Sequence, residues 1–342
     1  MKPIGPLLAA GIALSLVVLI IGSGVHRTLA QRQPPLKLPS SPTRSLQGHD
    51  VIAYVAYSPD GKMLATASYD KTAKIWNPAT GQVLFTLTGH TDGLYSLAFS
   101  PDSKLLATSG SDGTTRLWDT TNGHCQSVIQ AGKIYVHAVA FSPDGSLLAT
   151  GGMDSIKIWD VATRKLKQTL LVPHAILSLV FSPDGKLLAS CGFENTVILW
   201  NTSTWHSDRT ISPSDTDGIY ALAYSPDGKL LAGGDNDTTA KVWNPTTGKQ
   251  IYVLKGHWGG VLAVAFSPDS KTLATGGDFS IKFWDMATGQ NIGTIKPKDR
   301  DPKHDDPGIG TMVYSLAFSP DGSTLAVGAY DGIVDLWAIP KR

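Results

Sequence analysis

Between residues 89 and 130 the chain alternates apolar runs with short polar breaks. Large and small side chains alternate over Leu94–Ser100 and stop at a Pro-Asp turn. A second apolar run, Leu105–Ser109, ends at Ser111-Asp112-Gly113, and a third, Thr114–Trp118, passes through a turn at Thr120–Gly123 to Cys125–Ile129. Four short apolar runs joined by tight turns predict four antiparallel strands in up-and-down order.

That unit recurs. Ser-Pro-Asp begins at Ser58, Ser100, Ser142, Ser182, Ser225, Ser267 and Ser319, with spacings of 42, 42, 40, 43, 42 and 52. A tryptophan follows in step at Trp76, Trp118, Trp159, Trp200, Trp243, Trp284 and Trp337. Two interlocked series of seven define a repeat architecture. Two residues before each serine the side chain is small (Ala56, Ala98, Ala140, Val180, Ala223, Ala265, Ala317), and one before it is aromatic (Tyr57, Phe99, Phe141, Phe181, Tyr224, Phe266, Phe318). Both faces of that strand are therefore built for burial. One four-stranded sheet cannot bury both of its faces, whereas a radial array of sheets can, with one contiguous core system expected to run between the blades.

The N-terminus follows another pattern. No residue from Pro3 to Val25 is charged, and Leu7 to Ile21 is almost wholly aliphatic, long enough to cross a bilayer as a helix. Residues 1–30 are read as a signal or transmembrane anchor, with the retained anchor favoured over cleavage near Ala30. A membrane-anchored protein with an extracytoplasmic ring follows, the alternative being a secreted or periplasmic one. Lys2 before the run and Arg27, Arg32 and Lys37 after it fix no orientation. Residues 31–42, with Pro34, Pro35, Pro39 and Pro42, are expected to form an extended spacer rather than a packed element. The repeat domain spans 43–342.

Composition removes several classes of function. A net charge of +1 with no basic stripe argues against nucleic acid. The cysteines, Cys125 and Cys191, stand far apart within apolar strands, where small buried side chains are expected. No serine has glycine at both second neighbours, no Gly-Lys pair is followed by Ser or Thr, and no His-Glu dipeptide occurs. Nucleophile elbow, phosphate loop and zinc helix are thus all missing, so no catalytic residue, cofactor or metal is expected.

Gly89-His90, Asp112 and Trp118-Asp119 resemble the signature of the WD40 repeat. Trp159-Asp160 and Trp284-Asp285 repeat its terminal dipeptide, while Trp76-Asn77, Trp200-Asn201 and Trp243-Asn244 soften it. The resemblance, closest in style to bacterial members, covers about residues 43–342. It implies an all-β, seven-bladed propeller of four-stranded antiparallel blades, with residues 43–47 completing the last blade and closing the ring. It also implies structural hydrogen-bond tetrads at His49, Asp70 and Trp76, at His90, Asp112 and Trp118, and at His257, Asp278 and Trp284, each with a strand hydroxyl such as Thr108 or Ser109. A Ser/His/Asp grouping that recurs blade after blade is a feature of the fold, not a catalytic triad. The third and fifth copies lack the histidine, His174 is out of register in the fourth, and Glu194 replaces its aspartate; these blades are expected to be weaker.

In this family the fourth-to-first and second-to-third strand loops share one face. Tyr69, Tyr135, Met153, Phe193, Trp258, Met312 and Tyr330 fall there, where the consensus is small and polar. Aromatic and methionine side chains on one rim suit an interface. An insertion, Lys296–Thr311, on that same face carries Asp299, Arg300, Asp301, Lys303, His304, Asp305 and Asp306 and reads as a solvated loop, the alternatives being a partner contact or a calcium site, for which the EF-loop spacing is missing. The resulting expectation is a non-catalytic protein–protein interaction scaffold with a monomeric ring, tied to a membrane through its N-terminal segment. The alternative is an exported propeller enzyme or small-molecule sensor using the axial channel, with His137, Tyr95, Tyr220 and Tyr314 at its mouth.

Overall fold

A computed structural model describes residues 34–213, 218–297 and 311–341. Its strands group into seven four-stranded sheets. Six are built in chain order: blade one spans 52–87, blade two 94–130, blade three 138–171, blade four 176–211, blade five 219–255 and blade six 263–295. Blade seven joins Val313–Phe318, Thr324–Ala329 and Ile333–Ala338 to Arg44–Gln47, which pairs antiparallel with Ile333–Ala338. The first strand of each blade packs on that of the next, and Ile52–Tyr57 on Val313–Phe318 closes the ring. The all-β, seven-bladed propeller expected from the repeats is the observed fold.

Closure has its own chemistry. Thr43 N–H donates to Leu336 O at 2.8 Å, Ser45 Oγ to Asp335 Oδ1 at 2.6 Å, and Leu46 is buried between blades seven and one. The strand edge that an open ring would expose is thereby paired.

The recurring Ser-Pro-Asp turn has a local cause. Ser58 Oγ donates to Asp60 Oδ1 at 2.7 Å and accepts from Met63 N–H at 2.9 Å, while Asp60 Oδ1 accepts from Lys62 N–H. The serine is buried, and the pair replaces backbone bonds that the turn cannot make for itself. In the six copies that carry Asp or Asn after the tryptophan, that residue does similar work. Asp119 Oδ1 accepts from Thr121 N–H, and Asn77 Oδ1 from Ala79 and Thr80 N–H. Only an acceptor is needed, so Asp and Asn interchange.

The core divides into seven clusters, each straddling two consecutive blades, rather than forming the single system expected. Between blades one and two, Ala65, Ala67 and Ile75 meet Leu94, Leu97, Phe99 and Trp118. Each fully buried large side chain contributes about 1.5–3 kcal/mol. The ring thus holds as a chain of local interfaces, as stacked repeats do.

Two expectations are corrected. Cys191 is buried, but Cys125 is exposed, because it opens an outermost strand with only one buried position. The proline-rich stretch is not a free spacer throughout its length. Leu36 N–H donates to Ile292 O at 2.7 Å, and Leu36 and Leu38 pack against the cluster between blades six and seven. Leu38 sits so close to Gly293 that a Cβ there would lie 2.6 Å from its Cδ1. The described residues form one compact unit. The signal or anchor segment, residues 1–30, lies outside the described residues, as does most of the insertion at 296–311. Among the described residues no helix is long and apolar enough to cross a membrane.

Candidate functional site

The loops from fourth to first strands and from second to third strands gather on one face, and three polar networks pin them together. In blade two, His90 Nδ1–H donates to Asp112 Oδ2 at 2.8 Å, His90 Nε2 lies 2.9 Å from Thr108 Oγ1, and Trp118 Nε1–H donates to Thr108 Oγ1 at 2.8 Å. Nδ1 faces a carboxylate and so carries the proton, and burial favours the neutral ring of His90, which leaves Nε2 to accept the Thr108 hydroxyl proton. His49, Asp70, Thr66 and Trp76 repeat this geometry, as do His257, Asp278, Thr275 and Trp284. The hydroxyl is Thr108, not Ser109, and the indole donates rather than accepts.

Burial lowers the pKa values of His49 and His90, against the opposing pull of their aspartates. Burial pushes Asp278 up, but hydrogen bonds from His257, the Ser280 hydroxyl and Trp258 N–H outweigh it and hold the carboxyl at about 2. These are closed circuits, each satisfied within its own blade.

The networks also position the rim. Asp112 Oδ2 accepts Thr91 N–H at 3.0 Å, and Asp278 Oδ2 accepts Trp258 N–H at 2.9 Å. Each carboxylate so fixes the backbone of the adjoining fourth-to-first loop, and in blade six that loop carries the exposed indole. Elsewhere backbone bonds serve: Tyr135 N–H reaches Ser111 O at 3.2 Å, and Tyr330 N–H reaches Met312 O at 3.0 Å.

All seven rim residues named from the sequence are exposed: Tyr69 (44%), Tyr135 (39%), Met153 (45%), Phe193 (59%), Trp258 (70%), Met312 (37%) and Tyr330 (44%). Sequence reasoning missed Phe279, whose ring centroid lies 5.2 Å from that of Trp258, because attention fell on the residue before each turn acid and not after it. It also missed Ile134 and Leu171, the latter at the end of an outermost strand.

Toward the axis the aromatics connect. Tyr330 meets Tyr314 at 6.2 Å, Tyr69 meets Tyr95 at 5.6 Å edge to face, and Tyr95 meets Tyr135 and His137 at 6.3 and 4.6 Å. Tyr135 lies parallel to His137 at 5.8 Å. The Tyr69 hydroxyl is pushed up to about 12, chiefly by burial and less by the neighbouring Tyr95 and Tyr314. Tyr135 has φ +46°. Of the residues other than glycine with positive φ, six stand where sister copies use a turn glycine; Tyr135 does not, so its strain of about 1–3 kcal/mol is specific to the rim.

Charge separates the two faces. The described loops on this face hold Asp50, Asp70, Asp92, Asp112, Asp154, Glu194, Asp237, Asp278 and Asp331, against Lys71, Lys133 and Lys296. On the opposite face the aspartates of the seven Ser-Pro-Asp turns are matched by a basic residue in most turns, Lys62, Lys104, Lys186, Lys229 and Lys271 among them. A chain of net charge +1 thus presents one acidic, aromatic face.

The blades without the histidine differ from one another. Trp159 Nε1 still donates to Thr150 Oγ1, and Trp200 Nε1 to Ser190 Oγ. His174 pairs with Glu194, but at the surface and away from Ser190. Blade five holds a different network, not merely a weakened one: Lys241, almost wholly buried, bonds Asp235 Oδ2 at 2.7 Å and also Asp237 and Thr239. Among the described residues no group of three or more His, Cys, Asp or Glu is placed to hold a metal ion.

Comparison with known proteins agrees with this architecture. Residues 51–216 match the family model described as the IFT122 first beta-propeller, and residues 205–244, 248–285 and 302–338 match the WD domain, G-beta repeat. Fifty residues are 44% identical to the Notchless protein homolog of Arabidopsis thaliana, covering 14% of this chain and 11% of that protein. Fifty-five residues are 42% identical to the dynein assembly factor with WD repeat domains 1 of Danio rerio, covering 16% and 13%. A 69-residue match to the general transcriptional corepressor TUP1 of Saccharomyces cerevisiae is 38% identical and covers 20% and 9%. The chain therefore spans only a small part of the length of these relatives.

Proposed function

Because the chain carries WD40 repeats closed into a seven-bladed ring, we propose that it is a non-catalytic scaffold that binds partner proteins through the acidic, aromatic face. The observation that carries this reading is the exposure of all seven large rim side chains on loops whose backbone is pinned from below. A rigid aromatic such as Trp258 gives contact area at low entropic cost, and indole and phenol anchors dominate binding energy at interfaces. Relatives named for assembly and corepression support a role in bringing proteins together.

The apolar run Leu7–Ile21 adds a tether or export signal to this reading, with the ring outside the cytoplasm. The test is affinity capture with the full chain and with its Trp258→Ala and Phe193→Ala variants. Captured partners should fall away from the variants while the ring still melts at the same temperature. Capture that is unchanged by both variants would remove the rim from the interaction. Fractionation with N-terminal sequencing of the mature chain checks the tether, which predicts Met1 in the membrane fraction.

A further inference from the structure

Six of the ten tyrosines, Tyr69, Tyr95, Tyr135, Tyr220, Tyr314 and Tyr330, lie at the axial end of one face. Five of these and His137 make up the arc described above, in two contact groups: Tyr314 with Tyr330 on blade seven, and Tyr69, Tyr95, Tyr135 and His137 across blades one to three. Tyr54 lies on the innermost strand of blade one, where the other six copies place alanine or serine. It is partly exposed, yet its hydroxyl is pushed above the ordinary tyrosine value by the protein around it.

The arc would be over-built for packing alone, since Tyr69, Tyr135 and Tyr330 remain about two-fifths exposed. Its chemistry is directional. Aromatic faces carry negative quadrupole potential, and the contacts of Tyr95 with Tyr69 and Tyr135 and of Tyr314 with Tyr330 set several such rings side by side. His137 adds no fixed positive charge, because burial lowers its pKa. Around the arc, acids outnumber lysines in the described loops. Negative faces and a carboxylate surround are complementary to a cation on an apolar stem.

We infer that the tyrosine arc at the channel mouth receives a basic side chain, arginine or lysine, projecting from the bound partner. The claim rests on the rim being the interaction surface and assigns the chemistry of its central contact. The alkyl stem lies along the rings, the guanidinium or ammonium sits over the ring faces, and the carboxylates of the surrounding loops steer it there.

The experiment uses the full-length chain and hexapeptide pools in which one central position is fixed as Arg, Lys, citrulline, norleucine or Glu. Binding is read by fluorescence anisotropy. Citrulline and norleucine keep the stem and remove the charge. The Arg and Lys pools should bind about tenfold more tightly than their neutral counterparts, a difference of about 1.4 kcal/mol. Tyr69→Leu should cut that ratio below about threefold with no change in melting temperature, and raising salt should weaken the Arg pool more than the citrulline pool. Equal binding of charged and neutral pools, or tightest binding by Glu, overturns the inference. No binding by any pool, with partner capture still sensitive to Trp258→Ala, overturns the cation and leaves the rim reading standing. No binding with capture insensitive to Trp258→Ala removes both.

Discussion

Blades five and six are neighbours with the same strand plan, and they fill the same slot beneath the loops with opposite chemistry. In blade six a histidine links Asp278 to Thr275, and the tryptophan completes the circuit. In blade five the hydroxyl is gone: Gly233 stands where Thr275 stands, directly across from Lys241 as Thr275 is from Lys282. A side chain at Gly233 would meet the Trp243 ring at 2.8 Å, so the ring occupies the space the hydroxyl would need. The Lys241 ammonium then supplies the loop acid Asp237 with the donor that histidine supplies elsewhere. The slot demands a donor for the loop carboxylate and is indifferent to which residue provides it.

The sharpest way to break that equivalence is Lys241→Ala. It leaves Asp235 and Asp237 facing one another without their ammonium, so a loss of about 3–5 kcal/mol is expected, read as a shift in the denaturation midpoint. A loss near zero would mean that blade five does not depend on its network. Acid should separate the blades next. Asp278 is held at about 2 against an ordinary 3.8, a lowered folded value, so its stabilisation is present above pH 4 and disappears as pH falls toward 2. The amount is about 2 kcal/mol, and Asp278→Asn should flatten that limb of the pH–stability curve. His49 and His90 are also lowered, so folding favours their neutral forms, and stability should begin to decline as pH drops below 6.5.

Removing the shared hydroxyl gives a smaller, graded effect. Thr275→Val strips two short side-chain bonds and should cost about 2 kcal/mol, whereas Thr150→Val in blade three strips one short bond, from the indole, and a long one of 3.4 Å to Lys157 O, and should cost about 1 kcal/mol. Equal costs would show that histidine adds nothing to the circuit. Smallest of all, Trp258→Ala should change stability by less than about 0.5 kcal/mol, because the indole is 70% exposed, and yet it should have a large effect on capture of partners.

The ring could be read from the chain because each copy repeats the same turn serine, small residue, aromatic and tryptophan, and only a closed array buries all of them. His90, Asp112 and Trp118 were legible for the same reason. Lys241 was not. Lysine or arginine holds the corresponding position in four sister blades, as Lys74, Arg116, Lys157 and Lys282, where it stays half-exposed. What changes its role is the glycine opposite, a missing hydroxyl rather than a new residue. Leu36 and Leu38 escaped notice because prolines around them suggested extension, and extension is compatible with lying in a groove over Gly293. The rim residues stood out as exceptions to a small, polar consensus; Phe279 lay one position off that register.

Ring closure by Arg44–Gln47 against Ile333–Ala338 places a deadline on biosynthesis. The first strand of the ring waits for its last, since Ser45 and Asp335 are separated by 290 residues. At about 5–20 residues per second, that wait is on the order of 15–60 s, during which blades one to six can assemble as each emerges but the ring stays open. Through that interval Leu46 and the strand Arg44–Gln47 wait without the blade they complete, and the nascent chain offers a chaperone, or a second chain, its best opportunity to bind.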